Sequence, residues 1–260
     1  MSNVLQELGN FAEAKKEFLL AIDSNENQPE IWKNLGTVYF HLQDHEAEIR
    51  CYDKALALND TLPQALISKG TTLLNIFNRP SEAAELLEFA ISVDETISIQ
   101  WPHVWYWLAY AYFKQGELSE ALIRAERGLS AVPHHSSLLD LKANLLARLW
   151  KIDPTYIDQA INFFQFKIEL SQDDYDSIAQ LSYLYLEIGQ KDQVWKILGR
   201  FAEFEDNFDR YLEFSSHSIE DAIKSFRYFA AYKKYRTLSP LSDYSTPLTE
   251  NKVVLLVFRQ

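Results

Sequence analysis

Apolar residues recur along this chain at the spacing of helix faces, and the faces come in pairs. In PEIWKNLGTVYFHLQDHEAEIRCYDKALALND, residues 29–60, Trp32, Leu35, Gly36 and Tyr39 fall at i, i+3, i+4 and i+7, one stripe of a helix. The pattern breaks at Gln43-Asp44 and resumes with Ala47, Tyr52, Ala55 and Leu56. Two amphipathic helices joined by a tight turn predict a helical hairpin.

The unit recurs. Pro63, Leu66, Gly70 and Leu73 open a second, continued by Ala83, Leu87 and Ala90. Pro102, Trp105, Leu108, Ala109 and Tyr112 open a third, continued by Gly116, Ala121 and Leu122. Leu138, Leu141 and Leu145 begin a fourth, with Ala160 and Phe164 in its second helix. Ile178, Leu181 and Tyr185 begin a fifth, followed by Gly189, Val194 and Leu198. Gly9, Ala14, Phe18 and Ala21 read as a second helix without its first. Gly36 to Gly70 is 34 residues, whereas Gly70 to Ala109 is 39 and Lys142 to Ser182 is 40. The surpluses are expected in loops at 95–100 and 151–155.

This pattern resembles the tetratricopeptide repeat (TPR) family, whose unit carries a large residue, Leu-Gly and Tyr in its first helix. Small Ala and an aromatic follow in the second. Residues 29–60 and 102–133 match well. Glu48 stands where the family prefers Ala, Lys69 where it prefers Leu, and Lys142 where it prefers Gly. The resemblance implies an all-α, right-handed superhelical solenoid of antiparallel hairpins, about five repeats plus a partial N-terminal one. Residues 1–205 would form it. Each hairpin alone leaves an apolar face wet, so stacking is obligatory.

The stretch WPHVWYWLAYAYF, 101–113, holds seven aromatic rings in thirteen positions. Trp105, Leu108, Ala109 and Tyr112 are expected between helices. Tyr106, Tyr110 and Phe113 lie on another face, the one that lines the concave groove in the resembled family. The same register selects Lys33, Thr37 and Phe40, then Ile67 and Leu74, then Leu139 and Leu146, then Tyr183 and Leu186. A largely apolar, aromatic groove marks a binding surface, for an apolar peptide or helix. The open alternatives are a groove covered by the chain itself and plain core. The Lys–Asn clamp by which some family members hold acidic peptides is not expected, because Thr37 stands where Asn is needed.

Composition narrows the chemistry. Seven glycines and 47% hydrophobic residues suit a helical protein, and the net charge of -12 disfavours nucleic acid and anionic membrane as partners. One cysteine, Cys51, permits no intrachain disulfide and is expected to be packed. The N-terminal stretch shows no signal-peptide run, and VVLLVF at 253–258 is far shorter than the roughly 20 residues that span a bilayer. A cytoplasmic location is expected. Phosphate-binding glycine loops and hydrolase or metalloprotease motifs are absent from the sequence. His41 and His45 are separated by the predicted turn, and His134-His135 reads as a helix start. No cofactor or metal is expected.

Residues 206–236 read as a capping region whose basic helix, 219–236, is a candidate for self-association. Residues 237–260 read as a linker and an apolar tail. The functional expectation is a non-enzymatic protein-binding scaffold. The alternative is a repeat module of a larger multidomain enzyme, such as a transferase, with catalysis beyond residue 260.

Overall fold

A computed structural model describes residues 10–94, 96–97, 101–171 and 174–202. Every regular element among them is helical. They are α1 (Phe11–Ser24), α2 (Pro29–His41), α3 (His45–Leu58), α4 (Pro63–Asn75), α5 (Pro80–Val93) and α6 (His103–Gln115). There follow α7 (Leu118–Ala131), α8 (Ser136–Ile152), a 3-10 turn (Pro154–Tyr156), α9 (Ile157–Leu170), α10 (Tyr175–Glu187) and α11 (Lys191–Ala202). The helices fall into two compact units that divide between Leu145 and Leu146, inside α8.

In the first unit α2 packs on α3, α4 on α5 and α6 on α7, while α1 packs on α2. Local chemistry sets the helix ends. Pro29, Pro63 and Pro80 stand in the first turn of their helices, where a missing N–H costs nothing. The side chains of Asn10 and Asp44 cap α1 and α3 by accepting from the N–H of Glu13 and Ala47. The turns within hairpins pass through one left-handed residue: Gln43 (φ 60°), Asn78 (φ 50°), Gly116 (φ 83°) and, in the second unit, Gly189 (φ 76°).

The core lies between paired helices. Leu35, Val38, Cys51, Ala14 and Phe18 form one buried cluster, and Tyr52, Ala55, Leu62 and Ala65 another. Full burial of such large side chains is worth about 1.5–3 kcal/mol each. The α4 helix packs against α2 and α6 as well as α5, so it is buried on more than one face: Leu66, Ile67, Leu73 and Leu74 all lose their solvent.

In the second unit α9 packs on α10 and α10 on α11. Ala160, Phe164, Ile178, Leu181, Tyr185, Val194 and Leu198 are buried as the periodicity predicts. Gln165 donates to the Tyr185 hydroxyl at 2.8 Å. The expected loop at 151–155 is a partial miss. Helix α8 runs through Lys151 to Ile152, and Asp153 then caps the 3-10 turn by accepting from the N–H of Thr155. The surplus residues are absorbed as extra helix, since nothing before Asp153-Pro154 breaks it. The proposed capping helix at 219–236, the apolar tail and Gly9 lie outside the described residues.

Candidate functional site

Helix α6 carries two stripes with different fates. Val104, Trp105, Leu108, Ala109 and Ala111 are buried. Trp105 meets α7 where Gly128 leaves room: a Cβ on Gly128 would lie 2.5 Å from Trp105 Cβ and 2.8 Å from Leu138 Cδ1. This buried stripe holds the helix in place.

The second stripe faces outward and is made of rings. Tyr106 and Tyr110 stack with centroids 5.9 Å apart and planes 6° from parallel. Tyr110 and Phe113 continue the row at 5.9 Å and 23°. All three are half-buried. Trp107 adds an edge, T-shaped to Tyr106 at 4.9 Å and to Tyr110 at 6.4 Å. Lys114 Nζ lies 6.0 Å from the centre of the Tyr110 ring. Burial, and then the neighbouring Tyr110, push the Tyr106 phenol above its ordinary range. Offset-stacked rings of this kind add about 0.5–1.5 kcal/mol per pair beyond their burial, which makes the row a stiff surface.

A polar network fixes α6 from behind. Glu88 on α5 accepts from the Tyr112 hydroxyl at 2.9 Å and from Arg124 Nη2 on α7 at 2.8 Å. The Arg124 guanidinium also lies over the Tyr112 ring, 5.1 Å from its centre. Tyr112 is therefore half-buried and hydrogen-bonded, not the plain core ring expected from its register. Three successive helices are tied together at one carboxylate.

The twelve residues selected from the sequence differ in exposure and in local partners. Tyr106, Tyr110 and Phe113 come together as the stack. Ile67, Leu74, Leu139 and Leu146 are buried and offer little or no surface to a ligand; for the α4 pair the reason is the flanking first helices. Lys33 pairs with Glu30 at 2.7 Å, and the Thr37 hydroxyl donates to the Lys33 carbonyl at 3.3 Å. Phe40 is exposed, edge-on to His41 and His45. Tyr183 and Leu186 are half-buried on α10 of the second unit. Trp107, left unassigned from the sequence, joins the stack; its position three residues before Tyr110 was the available signal.

The tetratricopeptide repeat family model matches residues 1–63 and 77–135. Over these segments the chain is a tetratricopeptide-repeat protein. Its fold is similar to the crystal structure of YrrB, a TPR protein with an unusual peptide-binding site. That likeness has TM-score 0.60 and 18% identity, covering 72% of this chain and 92% of YrrB. The crystal structure of MamA protein is similar at TM-score 0.57 and 19% identity, over 70% and 94%. A tetratricopeptide repeat protein from Parabacteroides merdae is similar at TM-score 0.56 and 13% identity, over 99% and 94%. At these identities the likeness is one of fold. A comparison with curated protein sequences gives no match. The TPR fold serves protein–protein interaction and peptide binding, and its repeats are as a rule non-catalytic. Among the described residues no helix is long and apolar enough to cross a membrane.

The departures from the TPR pattern each find a polar partner. Buried Glu48 on α3 accepts from the Thr72 hydroxyl on α4 at 2.5 Å and faces His45 Nδ1 at 2.8 Å. Lys69 on α4 pairs with Asp53 on α3 at 2.7 Å. Lys142 on α8 pairs with Glu126 on α7 at 2.7 Å. All three join the second helix of one TPR to the first helix of the next. A polar group buried at such a joint fixes register, since any shift leaves it unpaired. Cys51 is buried, and burial pushes its thiol up to about 12, which makes it an inert core residue. His41 closes α2 and stacks on Phe11 at 4.2 Å, while His45 opens α3. The two histidines belong to different helices.

Proposed function

We propose that this protein is a non-enzymatic scaffold that binds an apolar peptide or helix on the aromatic row of α6. The observation that carries this reading is the row itself: Tyr106, Tyr110 and Phe113 stacked in line and half-buried, with Trp107 at their edge. Rings are held this way at small conformational cost to binding, because packing beneath them has already fixed their helix. The resemblance to a TPR protein with a peptide-binding site supports the same class of partner. Lys33, Thr37 and Phe40 on α2, and Tyr183 and Leu186 on α10, are further candidate contact residues in this reading. A cytoplasmic setting suits the reduced, buried thiol of Cys51.

The test is affinity capture from the source cell's lysate with wild type and a Tyr106→Glu/Tyr110→Glu variant, after circular dichroism shows equal helix content. A protein held by wild type and lost by the variant supports the reading. Identical captures from both overturn it.

A further inference from the structure

The aromatic row offers hydrogen-bond donors and few acceptors. Tyr106, Trp107 and Tyr110 are half-buried, yet among the described residues no acceptor meets either hydroxyl or the indole N–H. Lys114, exposed at the Phe113 end of the row, has no acidic partner among the same residues. A phenol can accept as well as donate, but an indole N–H and an ammonium only donate.

The surrounding charge has the same sign. Helix α6 reads HVWYWLAYAYFKQ and holds no Asp or Glu, and α4, which packs against it, reads PQALISKGTTLLN and holds none either. The whole chain has 37 acidic residues against 25 basic ones. Its carboxylates lie elsewhere, as on α5, where Glu82, Glu85 and Glu88 stand without a cation. The polar character of the row is therefore positive, and its complement is a segment that presents lone pairs and few N–H groups.

This condition separates three kinds of apolar segment. An α-helix has used its backbone groups internally, and its apolar stripe would cover the three donors with hydrocarbon and leave them unpaired. An extended strand brings an N–H with nearly every carbonyl, and those N–H groups find few acceptors on α6. A proline-rich segment in the polyproline II form brings carbonyls with no internal partner, and no N–H wherever proline stands. Its pyrrolidine rings supply apolar surface to the stacked rings, and its conformation is set before binding.

Resting on the reading that this row is the binding surface, we propose that it recognises a proline-rich, polyproline II segment of a partner protein, whose carbonyls accept from Tyr106, Trp107 and Tyr110. From Tyr106 to Phe113 the helix rises about 10 Å, the length of about one three-residue turn of polyproline II. The footprint is small, and Lys114 carries the same polarity past its Phe113 end.

Fluorescence anisotropy of a dye-labelled decaproline, titrated with the full chain, tests this. The control probes are a glycine–serine decapeptide and an alanine-based helical peptide with leucines at i, i+3, i+4 and i+7. Tyr110→Phe and Trp107→Phe each keep a ring in the row and remove one donor; circular dichroism checks that helix content is unchanged. Wild type should bind decaproline saturably below about 1 mM, and more tightly than either control. Each Phe variant should bind about fivefold more weakly, the loss of one ordinary hydrogen bond. Tyr106→Glu/Tyr110→Glu should abolish binding. No saturable binding of decaproline to wild type overturns the proposal, and so does unchanged affinity in both Phe variants. If the helical peptide binds wild type and not the Glu variant while decaproline stays free, this proposal falls and the row stands as a binding surface. If the Glu variant holds decaproline as well as wild type does, the row is not the surface and both readings fall.

Discussion

The first and third complete hairpins solve one packing problem in opposite ways. In α2–α3 the small residue is on the first helix: a Cβ on Gly36 would lie 2.6 Å from the Tyr52 ring of the second. In α6–α7 the ring is on the first helix, Trp105, and the small residue, Gly128, is on the second. Close approach of two helices needs one of them to be bare at the crossing, and either will do. The exchange has a consequence for the outer face. In α2 the outward stripe is Lys33, Thr37 and Phe40, each occupied locally by its own helix or its turn. In α6 the outward stripe is a run of rings on a helix pinned by Trp105 and by the Glu88–Tyr112–Arg124 network.

The largest effects are expected at the anchors. Trp105→Ala should cost about 3–5 kcal/mol of unfolding free energy, read by urea titration. Trp105→Phe should cost far less, because the buried Trp105 Nε1 has no partner to lose. Next come the glycines. Gly128→Ala and Gly36→Ala should each cost about 1–3 kcal/mol by overpacking. The larger loss is expected at Gly128, whose obstacle is the Trp105 Cβ close to the backbone. The Gly128→Ala cost should largely vanish in a Trp105→Ala background, while the Gly36→Ala cost should persist there; equal coupling to both would end the idea of two independent solutions.

Smaller effects are expected at the polar joints and the turns. Glu48→Ala restores the family's preferred residue yet should cost about 1–3 kcal/mol, because the buried Thr72 hydroxyl loses its acceptor. Adding Thr72→Val should recover most of that loss. If Glu48→Ala is neutral alone, the polar joints do not fix register. At the first hairpin's turn, Gln43→Gly should stabilise by up to about 1 kcal/mol, since Gln43 holds φ 60°. Finally, Cys51 reports on the first hairpin and the α1 helix packed on it. With its thiol pushed up to about 12 from 9.0, alkylation at pH 8 should run on the order of a thousandfold slower than in unfolded protein. Gly36→Ala should speed it measurably, and Gly128→Ala should leave it nearly unchanged.

Much of this was legible in the order of residues. The hairpins, the turn at Gln43-Asp44, the helix at Phe11–Ser24 and the core positions Leu35, Leu108 and Leu181 follow from period, proline placement and small-residue spacing. Those are local properties, and a helix face is decided by residues three and four apart. The buried state of Cys51 followed from the same register.

The candidate site was only partly legible. Register alone treats Ile67, Leu74, Tyr110 and Leu146 as equivalent outward positions. Which of them meets solvent depends on how closely the flanking helices approach, and that distance is set by side chains far away in the chain. Trp107 needed the actual ring geometry to be placed. The partners of Glu48, Lys69 and Lys142 are likewise contacts between separate helices. Sequence determined the repeated helical hairpin, because periodic burial is written within each segment. Tertiary structure alone decided which outward faces stay open and which charges are paired, because exposure and electrostatics belong to the packed neighbours and not to the segment itself.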